Sequence, residues 1–355
     1  MLASARPGGT CGIRFVIEKW GALMRILAAA VVFLALVLAT ACGEGEESAH
    51  PAATVSPTTL ALESPTPGRT VTPATPAATP GTVPMTKIAF ASRRDGKGEI
   101  YVLWPDGREV NVSNDPGEDS NPDWSPDGTK IAFASDRDGG MHIYVVNADG
   151  SGLTKLTEEP GGDMSPRWSP DGKRIAFSRL GSLMVMDSDG SNVTLIFEIS
   201  PESVDDLCQS GGFIGGWSPD GTELTFYAAT LSSGVGHICI VNVDGSNLRT
   251  VVSEPPGYHV EPSWSADGEW ITYRSIREGN HEVYIVRPDG SSDTNLTNSP
   301  AMDVEPDWSP DGEWIVFGSD RGGNMDLYAM RSDGSAVTQL TVNPAKDSDP
   351  SWSPK

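Results

Sequence analysis

One pentapeptide, which recurs six times, limits the folds open to this chain more than any other feature. Trp-Ser-Pro-Asp-Gly, or a close variant of it, begins at tryptophans that lie 44–49 residues apart: Trp124, Trp168, Trp217, Trp264, Trp308 and Trp352. A period of this length indicates supersecondary units that stack on one another because none can bury its apolar face alone. Most of the chain is therefore predicted to be a single repeat array.

Each repeat contains the signals of four short strands. The Trp strand is followed by an aliphatic and an aromatic residue two positions apart, as at Ile131 and Phe133. A strand such as HIYVVN at 142–147, a second Asp-Gly turn at 149–150 and a last strand ending in Leu-Thr complete the unit. Asp-Gly suits tight hairpins because glycine accepts positive φ and aspartate can bond its own backbone. Four strands per ~45 residues predict the blade of a β-propeller.

The two ends of the array complement each other. Residues 87–112 supply three strands without a leading Trp strand, and the chain ends on a lone leading strand at 349–353. We expect these fragments to pair, because closure removes the sheet edges that would otherwise be exposed. The fold prediction is an all-β, six-bladed propeller over residues 85–355, with its last blade closed by N- and C-terminal strands.

The repeat resembles a known family. The pattern DxxPxWSPDG at 119–128, 163–172 and 303–312 is similar to the WD-like repeat of TolB and related propellers, and the resemblance covers residues 86–355. It implies the fold but not one function, since such propellers serve binding, scaffolding and accessory roles. TolB also carries an α/β domain before its propeller. This chain has a Pro- and Thr-rich segment there, so TolB's partners are not carried over.

The first 84 residues are predicted to direct and tether the protein. An apolar run at 26–41 is short for a membrane span but typical of a signal peptide, which we assign to residues 1–41 with Met24 as an alternative start. Ala39-Thr40-Ala41 before Cys42 resembles a lipobox, which would make Cys42 a lipidated N-terminus. The alternative is an ordinary signal peptide that happens to precede a cysteine. Residues 42–84 predict a disordered tether, and the whole pattern predicts an extracytoplasmic, membrane-anchored lipoprotein.

The net charge disfavours several classes of binding partner, and the cysteines bear on a zinc site and on a disulfide. The formal net charge of −23 disfavours nucleic acid and anionic lipid surfaces, so contact with the membrane is expected through the lipid anchor only. No CxxC pair is present, which disfavours a zinc site. Cys208 lies in an insertion, and Cys239 stands where other repeats have tyrosine. The two could form a disulfide in an oxidising compartment or remain separate thiols.

Polar residues recur where each Trp strand begins, at the predicted mouth of the central channel. Asp recurs five residues before the Trp, and carboxylates recur three before it. These side chains are candidate ligands for Ca²⁺ or Mg²⁺, which prefer oxygen donors. The alternative is that each Asp caps its own turn. The candidates are Asp119, Asp163, His259, Glu261, Asp303, Glu305, Asp347 and Asp349.

No catalytic motif accompanies them, and the chain is predicted not to be an enzyme. It lacks a Gly-x-Ser-x-Gly nucleophile elbow. Resemblance to TolB-like lyases would imply a His-rich metal site, but His259 is the only one of five histidines at a mouth position. The sequence favours a binding or scaffold propeller that engages a protein or glycan of the cell envelope, with no cofactor beyond the cation just described. The alternative is a metal-dependent, lyase-like carbohydrate-active enzyme.

Overall fold

The computed structural model describes residue 83 and residues 86–159, 161–198, 208, 212–230, 235–253 and 257–354. The predictions for the signal peptide, Met24 and Cys42 concern residues outside this part of the chain. Thr82–Lys355 is one compact unit. The described residues contain strands and turns only, and none of them belongs to a helix that could cross a membrane.

The described residues form six antiparallel sheets of four strands each, which are the blades of the predicted propeller. We number blades 1–5 along the chain from the first complete one, and blade 6 is the shared blade. Blade 6 begins the chain with β1 (Ile88–Ser92), β2 (Glu99–Leu103) and β3 (Glu109–Asn111). Blade 1 contains β4 (Asp119–Trp124), β5 (Lys130–Ser135), β6 (His142–Asn147) and β7 (Thr154–Lys155).

The remaining blades follow in the same order. Blade 2 contains β8 (Asp163–Trp168), β9 (Arg174–Arg179), β10 (Ser182–Asp187) and β11 (Thr194–Phe197). Blade 3 contains β12 (Gly212–Trp217), β13 (Glu223–Thr230), β14 (Val235–Asn242) and β15 (Arg249–Val252). Blade 4 contains β16 (His259–Trp264), β17 (Ile271–Ser275), β18 (Glu282–Val286) and β19 (Thr294–Asn295). Blade 5 contains β20 (Asp303–Trp308), β21 (Trp314–Ser319), β22 (Asp326–Arg331) and β23 (Thr338–Gln339), and β24 (Asp347–Trp352) returns to blade 6.

The shared blade is confirmed by its strand order, β24-β1-β2-β3. Trp352 of β24 lies opposite Ile88 of β1, and Asp347 lies opposite Ser92. Beyond the strands, the backbone N–H of Ser353 donates to the Lys87 carbonyl over 2.8 Å. The last residues of the chain therefore hold its first strand in the ring.

The first strand of every blade lies innermost. These leading strands, β4, β8, β12, β16, β20 and β24, each contact the leading strands of both neighbouring blades. They therefore surround the central channel. We call the end at which they begin the mouth face, and the end carrying the Asp-Gly turns the turn face.

The blades are held together by apolar clusters at their seams. Phe133 and Ile131 of blade 1 pack with Ala89 and Val102 of blade 6, for example, and all four are buried. Two of the repeated tryptophans also bridge blades through hydrogen bonds: the Trp124 indole N–H donates to the Ser351 carbonyl over 3.2 Å and the Trp217 indole N–H to the Arg167 carbonyl over 3.0 Å. The recurring tryptophans therefore serve packing between blades.

Candidate functional site at the channel mouth

The four mouth aspartates do not converge on the channel, which corrects the expectation that they could share a cation. Each is buried and pairs with an arginine of its own blade. The pairs, with their shortest N–O distances, are Asp119–Arg137 at 2.9 Å, Asp163–Arg179 at 2.7 Å, Asp303–Arg321 at 2.8 Å and Asp347–Arg94 at 3.2 Å. The turn-cap alternative does not describe these residues fully either, because each carboxylate also bonds a guanidinium.

The pairs act as clamps between the leading strand and the loop that follows the second strand. In blade 5 the Arg321 guanidinium meets both oxygens of Asp303 at 2.8 Å and lies 5.1 Å from the centroid of the Tyr328 ring. A guanidinium suits this place because it can bond a carboxylate and lie on an aromatic face at once. The sequence signal for the clamp, which we did not recognise, is an arginine 16–18 residues after Asp119, Asp163 and Asp303.

His259 is also not a mouth ligand, contrary to the sequence prediction. It occupies the Asp position in blade 4, but its side chain is fully buried. Its ring lies edge-on to Tyr273, with centroids 5.7 Å apart. Arg277, which would have clamped an aspartate here, pairs instead with Asp293 at 2.5 Å. His259 therefore belongs to the interior of blade 4.

The residues three before each Trp form the inner ring of the channel. Asn121, Ser165, Glu261, Glu305 and Asp349 have positive φ, between 49° and 58°, next to a register shift in their leading strands. Such a bulge redirects a side chain. Here the side chains reach across the seams. The Glu261 carboxylate accepts from the Glu305 amide at 2.9 Å, and the Glu305 carboxylate accepts from the Asp349 amide at 2.6 Å.

Burial and mutual repulsion disfavour negative charge in this ring. Burial, together with the neighbouring carboxylate of Glu305, raises the pKa of Asp349 to about 7. Burial also raises the pKa of Glu261, although Arg274 lies 2.9 Å from its carboxylate and opposes the rise. Within the described ranges no three His, Cys, Asp or Glu side chains are arranged to hold a metal ion. The inner ring is thus a network that joins blades 4, 5 and 6.

One sector of the mouth departs from the repeat. The residue after the aromatic side chain of the second strand is small in four blades, at Ala91, Ala134, Ser178 and Gly318, but is Tyr227 in blade 3 and Arg274 in blade 4. Tyr227 stacks on Phe213 with ring centroids 5.3 Å apart. Tyr258 lies beside them, just before β16, and Arg274 pairs with Glu261. We call Phe213, Tyr227, Tyr258, Glu261 and Arg274 the mouth sector.

Four of these five residues were missed in the sequence, where only Glu261 was singled out. In the sequence they are marked only by differing from the residues at the same positions of the other repeats, and they form no motif of their own. Each large side chain replaces a smaller one only in blade 3 or blade 4, and all remain partly exposed. Aromatic rings beside a carboxylate and a guanidinium can bind either a sugar or a peptide.

Cys208, the described residue of the insertion before blade 3, is bonded to that blade. Cys208 is joined by a disulfide to Cys239 of β14, with Cα atoms 6.1 Å apart. Both cysteines are buried in an apolar cluster with Phe226 and Trp217. The pairing considered in the sequence is therefore present in the structure.

Comparison with known proteins agrees with this architecture. Residues 69–181 and 179–355 match the TolB beta propeller domain model. A TolB homologue of Chlorobium luteolum is 37% identical over 82 residues, which cover 23% of this chain and 18% of the relative. An uncharacterised protein of Agrobacterium fabrum is 36% identical over 84 residues, covering 24% of this chain and 28% of the relative. The chain thus spans less than a third of either relative.

A solved structure extends the likeness to the whole propeller. A protein assigned as TolB from Agrobacterium tumefaciens is 25% identical, with a TM-score of 0.58 over 76% of this chain and 94% of the other. The family model covers both halves of the array, and the strand order closes the ring in the same chain. The chain therefore belongs to the TolB β-propeller domain family.

Proposed function

We propose that this protein is an extracytoplasmic, membrane-anchored binding propeller that engages a protein or glycan of the cell envelope through its mouth sector. The observation that carries the proposal is the break in the repeat. Four blades have a small residue at the position where blade 3 has Tyr227 and blade 4 has Arg274, so two adjacent blades carry large side chains there. Binding residues tend to lie on loops and strand ends held by a rigid scaffold, which is what a closed ring provides.

The location rests on separate support. The apolar run at 26–41 and the lipobox-like Ala39-Thr40-Ala41 before Cys42 favour export and lipidation. The Cys208–Cys239 disulfide favours an oxidising compartment, since such bonds are rare in the reducing cytosol.

Anchoring is tested by Cys42→Ser, which should be cleaved normally yet leave the membrane fraction. A cleaved variant that still sediments with membranes would disprove the lipid anchor.

Binding is tested by affinity capture from envelope extracts. We expect the wild-type chain to retain a partner that Tyr258→Ala and Arg274→Ala each lose. Lys173→Ala is the matched control, because its side chain is 80% exposed on the opposite, turn face. Equal capture by all four proteins would show that the mouth sector is not the binding site.

The lyase alternative is not carried forward. It depended on a metal site at the mouth, and His259 is buried inside blade 4. No specific observation among the described residues favours that chemistry.

A further inference from the structure

The outermost strand of blade 2, β11, differs from the outer strands of the other blades. It has four residues, Thr194–Phe197, and none is charged. Its second residue, Leu195, is 48% exposed. The matching position is polar in every other blade: Asn111, Lys155, Thr250, Asn295 and Gln339. Polar side chains are one way in which proteins protect an edge strand, and β11, which shares its four-residue length with β15, lacks one at this position.

β10, the strand next to β11, also lacks the arginine-covered tyrosine that the matching strand has in four other blades. Leu195 lies opposite Met184, at a position where blades 1, 4, 5 and 6 have tyrosine. Each of those tyrosines has an arginine over its ring, at distances between 3.9 and 5.1 Å from the centroid: Tyr101–Arg94, Tyr144–Arg137, Tyr284–Arg277 and Tyr328–Arg321.

In blade 2 the loop that would bring such an arginine is absent. β9 and β10 are joined by a tight turn at Leu180-Gly181, both with positive φ. The Arg179 guanidinium is bound to Asp163 at 2.7 Å, and Leu180 is 59% exposed. The outer part of blade 2 therefore presents an uncovered apolar strand. Val193, two residues before Leu195 and on the same side of the chain, is 41% exposed.

Acidic side chains flank this strand at both ends. Asp189 lies in the turn before it, and hydrogen bonds from Ser191 lower the pKa of that carboxyl, so it stays ionised. Glu198 follows Phe197 directly and is exposed. Across the seam, the Glu158 side chain of blade 1 is 80% exposed. The edge thus combines backbone groups that no other described strand pairs with, apolar side chains and negative charge.

We propose that β11 is a docking edge, to which a partner protein adds an extended segment with alternating apolar side chains and Lys or Arg at its ends. The main chain of the segment would bond the outer edge of β11, and its side chains would lie beside Leu195 and Val193. Its basic ends would meet Asp189 and Glu198. This surface is separate from the mouth sector and does not depend on the function proposed for it.

A second copy of the chain fits the edge poorly. Pairing β11 with itself would bring the acidic ends of two strands together, in a protein whose net charge is already −23. Like charges across a paired edge are destabilising. The charge pattern therefore selects a basic segment over self-association.

Binding to the full chain can be measured by fluorescence anisotropy with a labelled peptide, Lys-Lys-Val-Thr-Val-Thr-Val-Lys-Lys. We expect saturable binding that weakens about tenfold or more when alternate peptide amides are N-methylated, because main-chain hydrogen bonds supply much of the affinity in this mode. Leu195→Lys should weaken binding to a similar extent. This variant should fold, because Lys155 stands at the same place in blade 1.

Val337→Lys is the matched control, because Val337 is 40% exposed beside the outer strand of blade 5, and it should bind as the wild type does. Three results would overturn the proposal. They are no saturable binding, equal binding by Leu195→Lys, and equal binding of a peptide with Glu in place of Lys. Concentration-dependent dimers of the wild type that Leu195→Lys abolishes would show that a second copy occupies the edge instead.

Discussion

At the scale of single residues, the mouth aspartates hold the scaffold together. A buried carboxylate is costly unless it is paired, and each of these meets a guanidinium that also lies on an aromatic ring. The carboxylates of Glu261 and Glu305, three before their tryptophans, play a different part, since each accepts from an amide of the next blade. One set of acids thus fixes the interiors of four blades, and the other joins neighbouring blades.

Asp303→Asn tests the clamp. Loss of the carboxylate leaves Arg321 without its ionic partner, although that side chain is 25% exposed and can recruit water. We expect the free energy of unfolding to fall by about 2–4 kcal/mol, somewhat less than for a fully buried pair. Asp311→Asn, in an exposed turn of the same blade, should change it by less than about 0.5 kcal/mol. Chemical denaturation measures both. Calcium-binding heat that disappears in Asp303→Asn would instead support a cation site.

The inner ring should make stability depend on pH. The folded-state pKa of Asp349 is raised to about 7, above the value of an unfolded chain. Its protonated form is therefore favoured on folding, and this contribution to stability is fully present at low pH and is lost as pH rises through about 7. Burial lowers the pKa of His281 to about 4, so the contribution of this neutral histidine to stability is lost as pH falls toward 4. A variant must therefore be compared with the wild type at each pH.

Asp349→Asn isolates the contribution of this carboxyl. The amide cannot ionise, so the variant should melt at a higher temperature than the wild type at pH 8 and should exceed it by a clearly smaller margin at pH 5. Thermal unfolding followed by circular dichroism at both values measures the difference. A variant that is less stable than the wild type at pH 8 would mean that ionised Asp349 contributes favourably to the ring.

At the scale of elements, the strands were predictable and their irregularities were not. Asp-Gly turns and aliphatic–x–aromatic spacing act locally, so they mark strand ends in the sequence. The bulges at Glu261 and Glu305 follow from tertiary packing around the channel, and neither residue type favours positive φ. The short turn at Leu180-Gly181 was equally hard to interpret, because its effect is to uncover Met184 and Leu195 in other strands.

The disulfide links Cys208 of the insertion to Cys239 of blade 3. It closes a segment with a sequence separation of 31 residues. Loop closure of that size restricts the unfolded chain enough to stabilise the fold by about 3–4 kcal/mol. Reduction, or the Cys208→Ser/Cys239→Ser double variant, should lower the melting temperature accordingly. Intact mass measured without reductant should show no free thiol at either position, and alkylation of both under native conditions would contradict the bond.

At the scale of the whole molecule, the ring is closed by nine residues at the end of the chain. β24 supplies the innermost strand of blade 6, and Trp352 is 4% exposed in a cluster with Trp314 of blade 5. Asp307 also accepts a hydrogen bond from the Trp352 amide at 2.8 Å. The sequence predicted this closure because the fragments at the two ends complement each other. It could not predict the mouth sector, which depends on side chains from two blades meeting in space.

Deleting residues 347–355 should open the ring. The loss of Trp352 alone would cost about 3–5 kcal/mol by analogy with other large core truncations, and the loss of strand pairing adds to it. We expect a truncated protein that is largely unfolded or aggregated at room temperature. Removing only residues 354–355 is the control and should leave the melting temperature unchanged. A nine-residue truncation that melts like the full chain would disprove closure by the last strand.

Photo-crosslinking in the producing cells tests the central claim most directly, namely that the mouth sector binds an envelope partner. A benzophenone amino acid placed at Tyr258 should yield one discrete adduct, and Arg274→Ala in the same chain should abolish it. The same probe at Lys173, on the turn face, should yield none. An adduct at Lys173 but not at Tyr258 would contradict the account, because the partner would then bind the face that carries the repeated Asp-Gly turns.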